Sequence, residues 1–354
     1  MKKYFKWVRA VLIGICIGFL SITAFNYYVD AFNLFNKSNS NMAQDLQNGY
    51  YITGNNISSN RVDNIYEPLI RSIKNNIDVL VIGSSRTMLL NRNTLFGKAK
   101  LDYYNFTAGT ARLKYYAKIL GLLNKHNIAF PHTIILGFDP WVFDEKASLA
   151  QIKKLLSNHS DNEFNYSQLI NFEYTKMNIL SLINQKKYLK SKNLQDLKKG
   201  KDVIISPDGD MHYPERNDSI SRDKLLQNVK EGLKDCDENN SNTKCIKYDN
   251  LNNFFEAKYL INYLKEKGVN VIVYLAPFEP TFYDHIIRYN NFEKHNNDIL
   301  NFFRENELEI IGSYNPNELK LSSDYFLDGS HLSKDGVKLL FKNIELKKYI
   351  NRSN

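Results

Sequence analysis

The sequence predicts an α/β fold built on a parallel sheet, carried behind an N-terminal membrane helix. Three observations predict it. Residues 79–82, 133–138 and 269–275 are short aliphatic runs with little or no polar interruption, the pattern of strands buried on both faces. Amphipathic stretches at 111–126 and 251–267 alternate with these runs, as in a parallel sheet whose crossovers are helices. Residues 10–29 (AVLIGICIGFLSITAFNYYV) contain no charge, and a helix of that length spans about 30 Å, the thickness of a bilayer core.

Lys2, Lys3, Lys6 and Arg9 precede the uncharged run, so the positive-inside bias predicts a cytoplasmic tail (1–9), an anchor (10–29) and an extracytoplasmic C-terminal domain. A cleaved signal peptide is the alternative; the run is long for one and has no clear small-x-small site. Cys16 follows no small residue, which disfavours a lipoprotein. Residues 30–75 are polar and aromatic by turns and read as a juxtamembrane connector with short helices near 42–47 and 66–74. One α/β domain is expected over 76–354, with a core of roughly 200–250 residues.

The chain carries a net charge of +9, and residues 31–354, without the four N-terminal positives and Asp30, carry +6, a moderate excess that suits anionic wall polymers or lipid headgroups. It shows no nucleic-acid motif. Cys236 and Cys245 bracket a polar loop. In an extracytoplasmic compartment they could close a local disulfide, two free thiols being the alternative. No histidine lies near them in sequence, so they are not expected to bind a metal; no cofactor is expected for the chain.

Within the domain, the run at 79–82 stops at Gly83, and Ser84 and Ser85 follow before an expected helix beginning at 87. A hydroxyl at the C-terminal edge of a parallel sheet lies where free backbone N–H groups favour developing negative charge. Next come a strand at 102–106 ending in Thr107-Ala108-Gly109, the helix at 111–126, and the strand at 133–138 leading to Asp139-Pro140-Trp141. Residues 145–250 break the rhythm with helical patterns at 149–156, 166–192 and 220–234. They form an insertion, either a cap or partner-binding surface or a helical layer over one sheet face. The core resumes at 251–275, followed by a helix at 281–306 and a short strand at 309–312. In Asp328-Gly329-Ser330-His331, a carboxylate three residues before a histidine can hold Nδ1–H and leave Nε2 free to take a proton from a serine. Ser333 caps a final helix, expected over 333–350.

These segments resemble the SGNH (GDSL-like) hydrolase superfamily, in its membrane-anchored branch of DltD-like and envelope-polysaccharide O-acetylation proteins. The resemblance covers roughly residues 75–145 and 250–345. It implies a flavodoxin-like, three-layer α/β/α fold. Gly83-Ser84-Ser85 stands where the family has Gly-Asp-Ser, which makes Ser85 the nucleophile with His331 and Asp328. Asn105–Gly109 resembles the oxyanion-hole block, and Gly137-Phe138-Asp139-Pro140 falls where the family has Gly-x-Asn-Asp. The oxyanion hole is therefore expected from Ser85, Gly109 and Asp139. Asp139 departs from the pattern, since an ionised carboxylate only accepts; protonated by burial beside the oxyanion, it could donate. Arg86 and Trp141 are the candidates for substrate binding; for Arg86 the alternative is pairing with an acid such as Asp78 or Asp144.

The activity implied is serine-dependent acyl transfer or ester hydrolysis on a cell-envelope polysaccharide or teichoic-acid-like polymer, beside a multi-spanning membrane acyltransferase. A non-catalytic scaffold that binds polymer or recruits that enzyme is the alternative, and a secreted lipase a third.

Overall fold

The computed structural model describes residues 2–30, 39–54, 63–71, 73–97, 100–109, 111–144, 147–157, 169–183, 188–198, 203–212, 220–237, 253–289 and 292–342. In chain order the strands are β1 (Tyr51–Thr53), β2 (Val79–Gly83), β3 (Tyr103–Thr107), β4 (Thr133–Gly137), β5 (Leu189–Ser191), β6 (Ile204–Ile205), β7 (Met211–His212), β8 (Asn270–Leu275) and β9 (Glu309–Gly312). Five form a parallel sheet in the order β3-β2-β4-β8-β9. Every residue of β2 and β4 is buried, which is why both segments are aliphatic throughout.

Alternate residues of these strands feed two apolar cores on opposite faces. Leu80, Ile82, Ile134, Leu136, Val271 and Val273 point into one, together with the helices Leu113–Lys125, Phe254–Glu266 and Phe292–Glu305. Val79, Val81, Ile135, Ile272 and Tyr274 point into the other, with Leu225, Val229, Val337 and Phe341 from the helices Arg222–Asp237 and Lys334–Phe341. The chain leaves β2 for β3 on one side and then crosses to β4 on the other. The end of β2 is therefore a topological switch point, where crevices open in parallel sheets.

Several expectations change. Residues 87–90 form turns, and the helix starts at Arg92, capped by Asn91. The reason is that Asn105 Nδ2 donates to the carbonyls of Thr87 (3.2 Å) and Leu90 (3.0 Å), binding backbone acceptors that a helix would have used. The single helix expected over 281–306 is two, Pro280–Tyr289 and Phe292–Glu305. The last helix is described over Lys334–Phe341, the remainder of 333–350 lying outside the described residues apart from Lys342.

The connector and the insertion join the domain. Helices Asn39–Gln47 and Asp63–Arg71 bury Leu46, Tyr66, Leu69 and Ile70 in the first core. The Tyr66 hydroxyl donates to Thr107 O at 3.0 Å. Connector and insertion together build a small antiparallel sheet, β5-β1-β6-β7, that the sequence reading missed. Its loop closes the open edge of β3, where Asn105 N–H donates to Asp208 O at 3.0 Å.

The helix Lys2–Val29 is long and apolar enough to cross a membrane, and its hydrophobic window is unburied by the domain. Cys16 lies on it, exposed. Cys245 lies outside the described residues and so does the side chain of Cys236, which places the expected disulfide outside them too.

Candidate active site

The turn after β2 is fixed by Thr87. Its N–H and hydroxyl both donate to Ser84 O, at 3.0 and 2.7 Å. The Thr87 side chain fills the space beside Gly83 and Gly137, and a Cβ at either glycine would collide with it. Two glycines on adjacent strands thus let a threonine lock the turn that presents Ser84, Ser85 and Arg86.

The two serines face different ways. Ser84 is fully buried, whereas Ser85 is half-buried. Ser85 Oγ lies 2.9 Å from His331 Nε2, although the residues are 246 positions apart. His331 Nδ1 lies 2.8 and 2.9 Å from the two Asp328 carboxylate oxygens. Asp328 Oδ1 also accepts from the backbone N–H groups of Ser330 (2.8 Å) and His331 (3.0 Å). A short loop therefore delivers carboxylate and imidazole as one unit, with Nδ1 carrying the proton and Nε2 facing the serine.

Neighbouring groups hold this loop. Leu327 N–H donates to His331 O (2.8 Å) and Asn228 Nδ2 to Leu327 O (3.0 Å). Glu279 N–H donates to Gly329 O at 3.1 Å, and the Phe282 ring occupies the space a Gly329 side chain would need. Glu279, 1% exposed, is a positioning residue that the sequence reading did not single out. Its carboxylate accepts from Phe282 N–H (2.9 Å) and Ser323 Oγ (2.6 Å). It therefore caps the helix Pro280–Tyr289 and ties it to the segment before the Asp328 loop. The signal in the sequence was Glu279-Pro280, an acid at the cap with proline in the first helical position.

Two expectations about neighbours are corrected. Asp139 does not offer a donor to an oxyanion. One oxygen accepts from Ser84 Oγ, and the other pairs with Arg86 Nη1 at 2.9 Å. Burial holds the Asp139 carboxyl above its ordinary value, and the Arg86 charge and the hydrogen bonds from Ser84 and Arg86 offset part of that rise. Arg86 is no free substrate clamp either. Among the described side chains its ion-pair partner is Asp139 and not Asp78, the side chain of Asp144 lying outside them; Nε donates to Ser330 O at 3.0 Å and Nη2 to Ala276 O. Its guanidinium carbon sits 4.0 Å from the Phe278 ring centroid and 5.7 Å from that of Trp141. Trp141 is itself buried, with an indole N–H that meets no acceptor. Arg86 thus bolts together the ends of β2, β4 and β8 and the loop that carries His331.

Ser85 and Gly109 meet in another way. The Ser85 N–H donates to Gly109 O at 3.5 Å, a long hydrogen bond that engages one of the two backbone N–H groups expected to receive the oxyanion. An incoming oxyanion would have to displace that carbonyl to reach the Ser85 N–H.

Comparison of the sequence with protein-family models and with curated proteins gives no match. No group of three or more histidine, cysteine, aspartate or glutamate side chains among the described residues is placed to hold a metal ion. The chemical capacity of the site therefore rests on its geometry: a reachable hydroxyl, an imidazole poised to take its proton, and a carboxylate that stabilises the resulting imidazolium.

Proposed function

We propose that the protein is a membrane-anchored serine acyltransferase or esterase of the SGNH type, with the three-layer architecture of that superfamily. It faces the extracytoplasmic side and modifies a cell-envelope glycopolymer by O-acetylation or D-alanylation chemistry, beside a multi-spanning membrane acyltransferase. The observation that carries this reading is the 2.9 Å approach of Ser85 Oγ to His331 Nε2, with His331 backed by Asp328.

The steps follow from those contacts. Ser85 Oγ attacks the carbonyl carbon of an acyl donor and passes its proton to Nε2. The tetrahedral intermediate collapses as Nε2 returns that proton to the leaving oxygen, leaving an acyl ester on Ser85. A polymer hydroxyl (or water) then gives its proton to Nε2 and takes the acyl group, and Ser85 recovers its proton. Asp328 stays ionised and fixes the tautomer throughout. The Ser85 N–H stabilises the oxyanion once the Gly109 carbonyl moves away.

The anchor reading draws support from its last turn. Asn26 is completely buried, and its Nδ2 donates to Leu169 O and to Thr175 Oγ1, both at 2.8 Å. A cleaved leader has no reason to be built into the domain by buried polar bonds.

A non-catalytic scaffold is the second reading, and the long Ser85–Gly109 bond favours it, because the Ser85 N–H, one of the two expected oxyanion donors, is already engaged. Reaction with a serine-directed fluorophosphonate separates the two. The acyltransferase reading requires labelling that vanishes in Ser85→Ala and persists in Ser84→Ala. Labelling absent from the wild type, or indifferent to Ser85, sinks it and leaves the scaffold.

A further inference from the structure

We infer that the helix Phe172–Ile183 dips into the lipid leaflet on the domain's side, alongside the anchor, as a second membrane-inserted element. This rests on the anchor reading of Lys2–Val29 and adds to it.

The two helices are clasped by polar groups. Tyr174 OH donates to Asp30 Oδ1 at 2.6 Å, and Asn178 Nδ2 donates to Asn26 Oδ1 at 2.9 Å. Asn26 in turn donates to Thr175 Oγ1 and Leu169 O. Moving one helical turn forward from Tyr174 to Asn178 therefore moves one turn back from Asp30 to Asn26. The helices run antiparallel, and Phe172–Ile183 points back along the anchor towards its apolar interior. One turn further on, Leu182 comes level with Ile22.

The residue types follow that direction. Glu173 and Lys176 are charged and exposed near the start of the helix. From Met177 to Ile183 no charge appears, yet Met177, Ile179, Leu180, Leu182 and Ile183 are 39–72% exposed. At 100° per residue these five surround the helix on every side except the one Asn178 turns to the anchor. A helix on a water-facing surface shows its polar residues along one face; in this one the charged residues stand near the start, beside the exposed Phe172, and beyond Lys176 the exposed large side chains are all apolar. The exposed apolar surface is continuous with that of the anchor, where Ile22 and Leu20 are also exposed. The clasp fits a low-dielectric setting, because both amides are buried, Asn26 Oδ1 accepting from Asn178 and Asn26 Nδ2 donating to Thr175 and Leu169. Seven residues beyond Lys176 reach about 10 Å, within one leaflet of a core about 30 Å thick. With two points of insertion the domain cannot swing freely on its anchor, so the site stays at a set height above the membrane.

The test uses the full-length protein in phosphatidylcholine–phosphatidylglycerol vesicles, with an environment-sensitive fluorophore on one cysteine at a time. Lipids carrying doxyl quenchers shallow or deep in the acyl chain report contact. In a background of Cys16→Ser, Cys236→Ser and Cys245→Ser, the probe is placed by Leu182→Cys, Ile183→Cys or Lys224→Cys. The native Cys16, with the other two cysteines replaced, reports the anchor. Thermal unfolding confirms that each variant is folded, and Leu182 and Ile183 serve as replicates at exposed positions. The expected result is loss of most of the fluorescence at Leu182→Cys and Ile183→Cys, as at Cys16, with Lys224→Cys unaffected. Quenching at Cys16 with both helix probes behaving like Lys224→Cys overturns the inference and leaves the anchor standing. Quenching nowhere overturns the anchor reading and the inference with it.

Discussion

Arg86 Nη1 lies 2.9 Å from Asp139 Oδ1, an ion pair whose side chains are 1% and 3% exposed and which stands one residue from the candidate nucleophile. Charges this deeply buried are tolerated because every polar group of the pair is used: Asp139 by Ser84 and Arg86, Arg86 by Asp139 and two backbone carbonyls. Removing one partner strands the other. Asp139→Asn or Arg86→Met is expected to cost about 3–5 kcal/mol of stability, and the double variant Arg86→Met/Asp139→Leu less than the sum. Urea unfolding followed by the fluorescence of Trp141, which packs on Arg86, reads all three; full additivity would mean the pair is not coupled.

Ser84 and Ser85 are adjacent, yet their substitutions should separate cleanly. Ser85→Ala is expected to abolish fluorophosphonate labelling with little change in stability. Ser84→Ala should keep labelling but lose about 1–3 kcal/mol, because it leaves a buried Asp139 oxygen without its donor. Reversed outcomes would move the nucleophile to Ser84.

Asp328 binds the imidazole and two backbone N–H groups, so changing its charge is distinguishable from removing it. Asp328→Asn keeps the loop's acceptor oxygen but can turn the imidazole to the wrong tautomer, and about a 10⁴-fold drop in labelling rate is expected. Asp328→Ala should also loosen the loop and lower the melting temperature. Equal labelling rates in wild type and Asp328→Asn would remove Asp328 from the proton path.

Gly137 and Thr87 form a testable steric pair. A Cβ on Gly137 would strike Thr87 Cγ2 but would lie 3.4 Å from Thr87 Cβ, an ordinary contact. Gly137→Ala should therefore destabilise by about 1–3 kcal/mol, and Thr87→Ser, which keeps the hydroxyl bonded to Ser84 O, should restore most of it. If the double variant is no better than Gly137→Ala alone, Thr87 is not what excludes a side chain there.

Two groups near the small sheet give opposite pH slopes. Burial lowers His212 to about 4, so the unfolded chain takes up that proton first on acidification. Its contribution is lost as pH falls from about 6.5 towards about 4, about 3 kcal/mol, and His212→Gln should flatten that slope. Asp210 is pushed well above its ordinary value by burial and then by the neighbouring Asp208, and its Oδ1 meets no donor. A raised carboxyl costs stability as pH rises through its folded value. Asp210→Asn should therefore stabilise the protein at neutral and alkaline pH and change little in acid, measured by urea midpoints across pH.

Much of this was written locally in the chain. The aliphatic runs at β2, β4 and β8 are legible because a strand buried on both faces admits few other residues. Asp328 and His331 are three residues apart, so their pairing needs only a loop. The small sheet escaped notice because β6 and β7 are two residues each, too short for any periodicity. The roles of Arg86, Asp139 and Glu279 escaped because their partners lie far away in sequence: Arg86 bonds groups 53, 190 and 244 positions along the chain.

By itself the sequence determined the alternation of strands and helices, the uncharged N-terminal run, and the few residue types able to move a proton. Those are properties of neighbouring residues, and short-range sterics and hydrophobicity suffice to write them. Only the tertiary structure decided that Ser85 rather than Ser84 meets His331, that Arg86 and Asp139 spend their charges on one another, and that Asn26 is gripped by Asn178. Hydrogen bonds and ion pairs act over about 3 Å, and which distant groups come that close is set by how the whole chain packs.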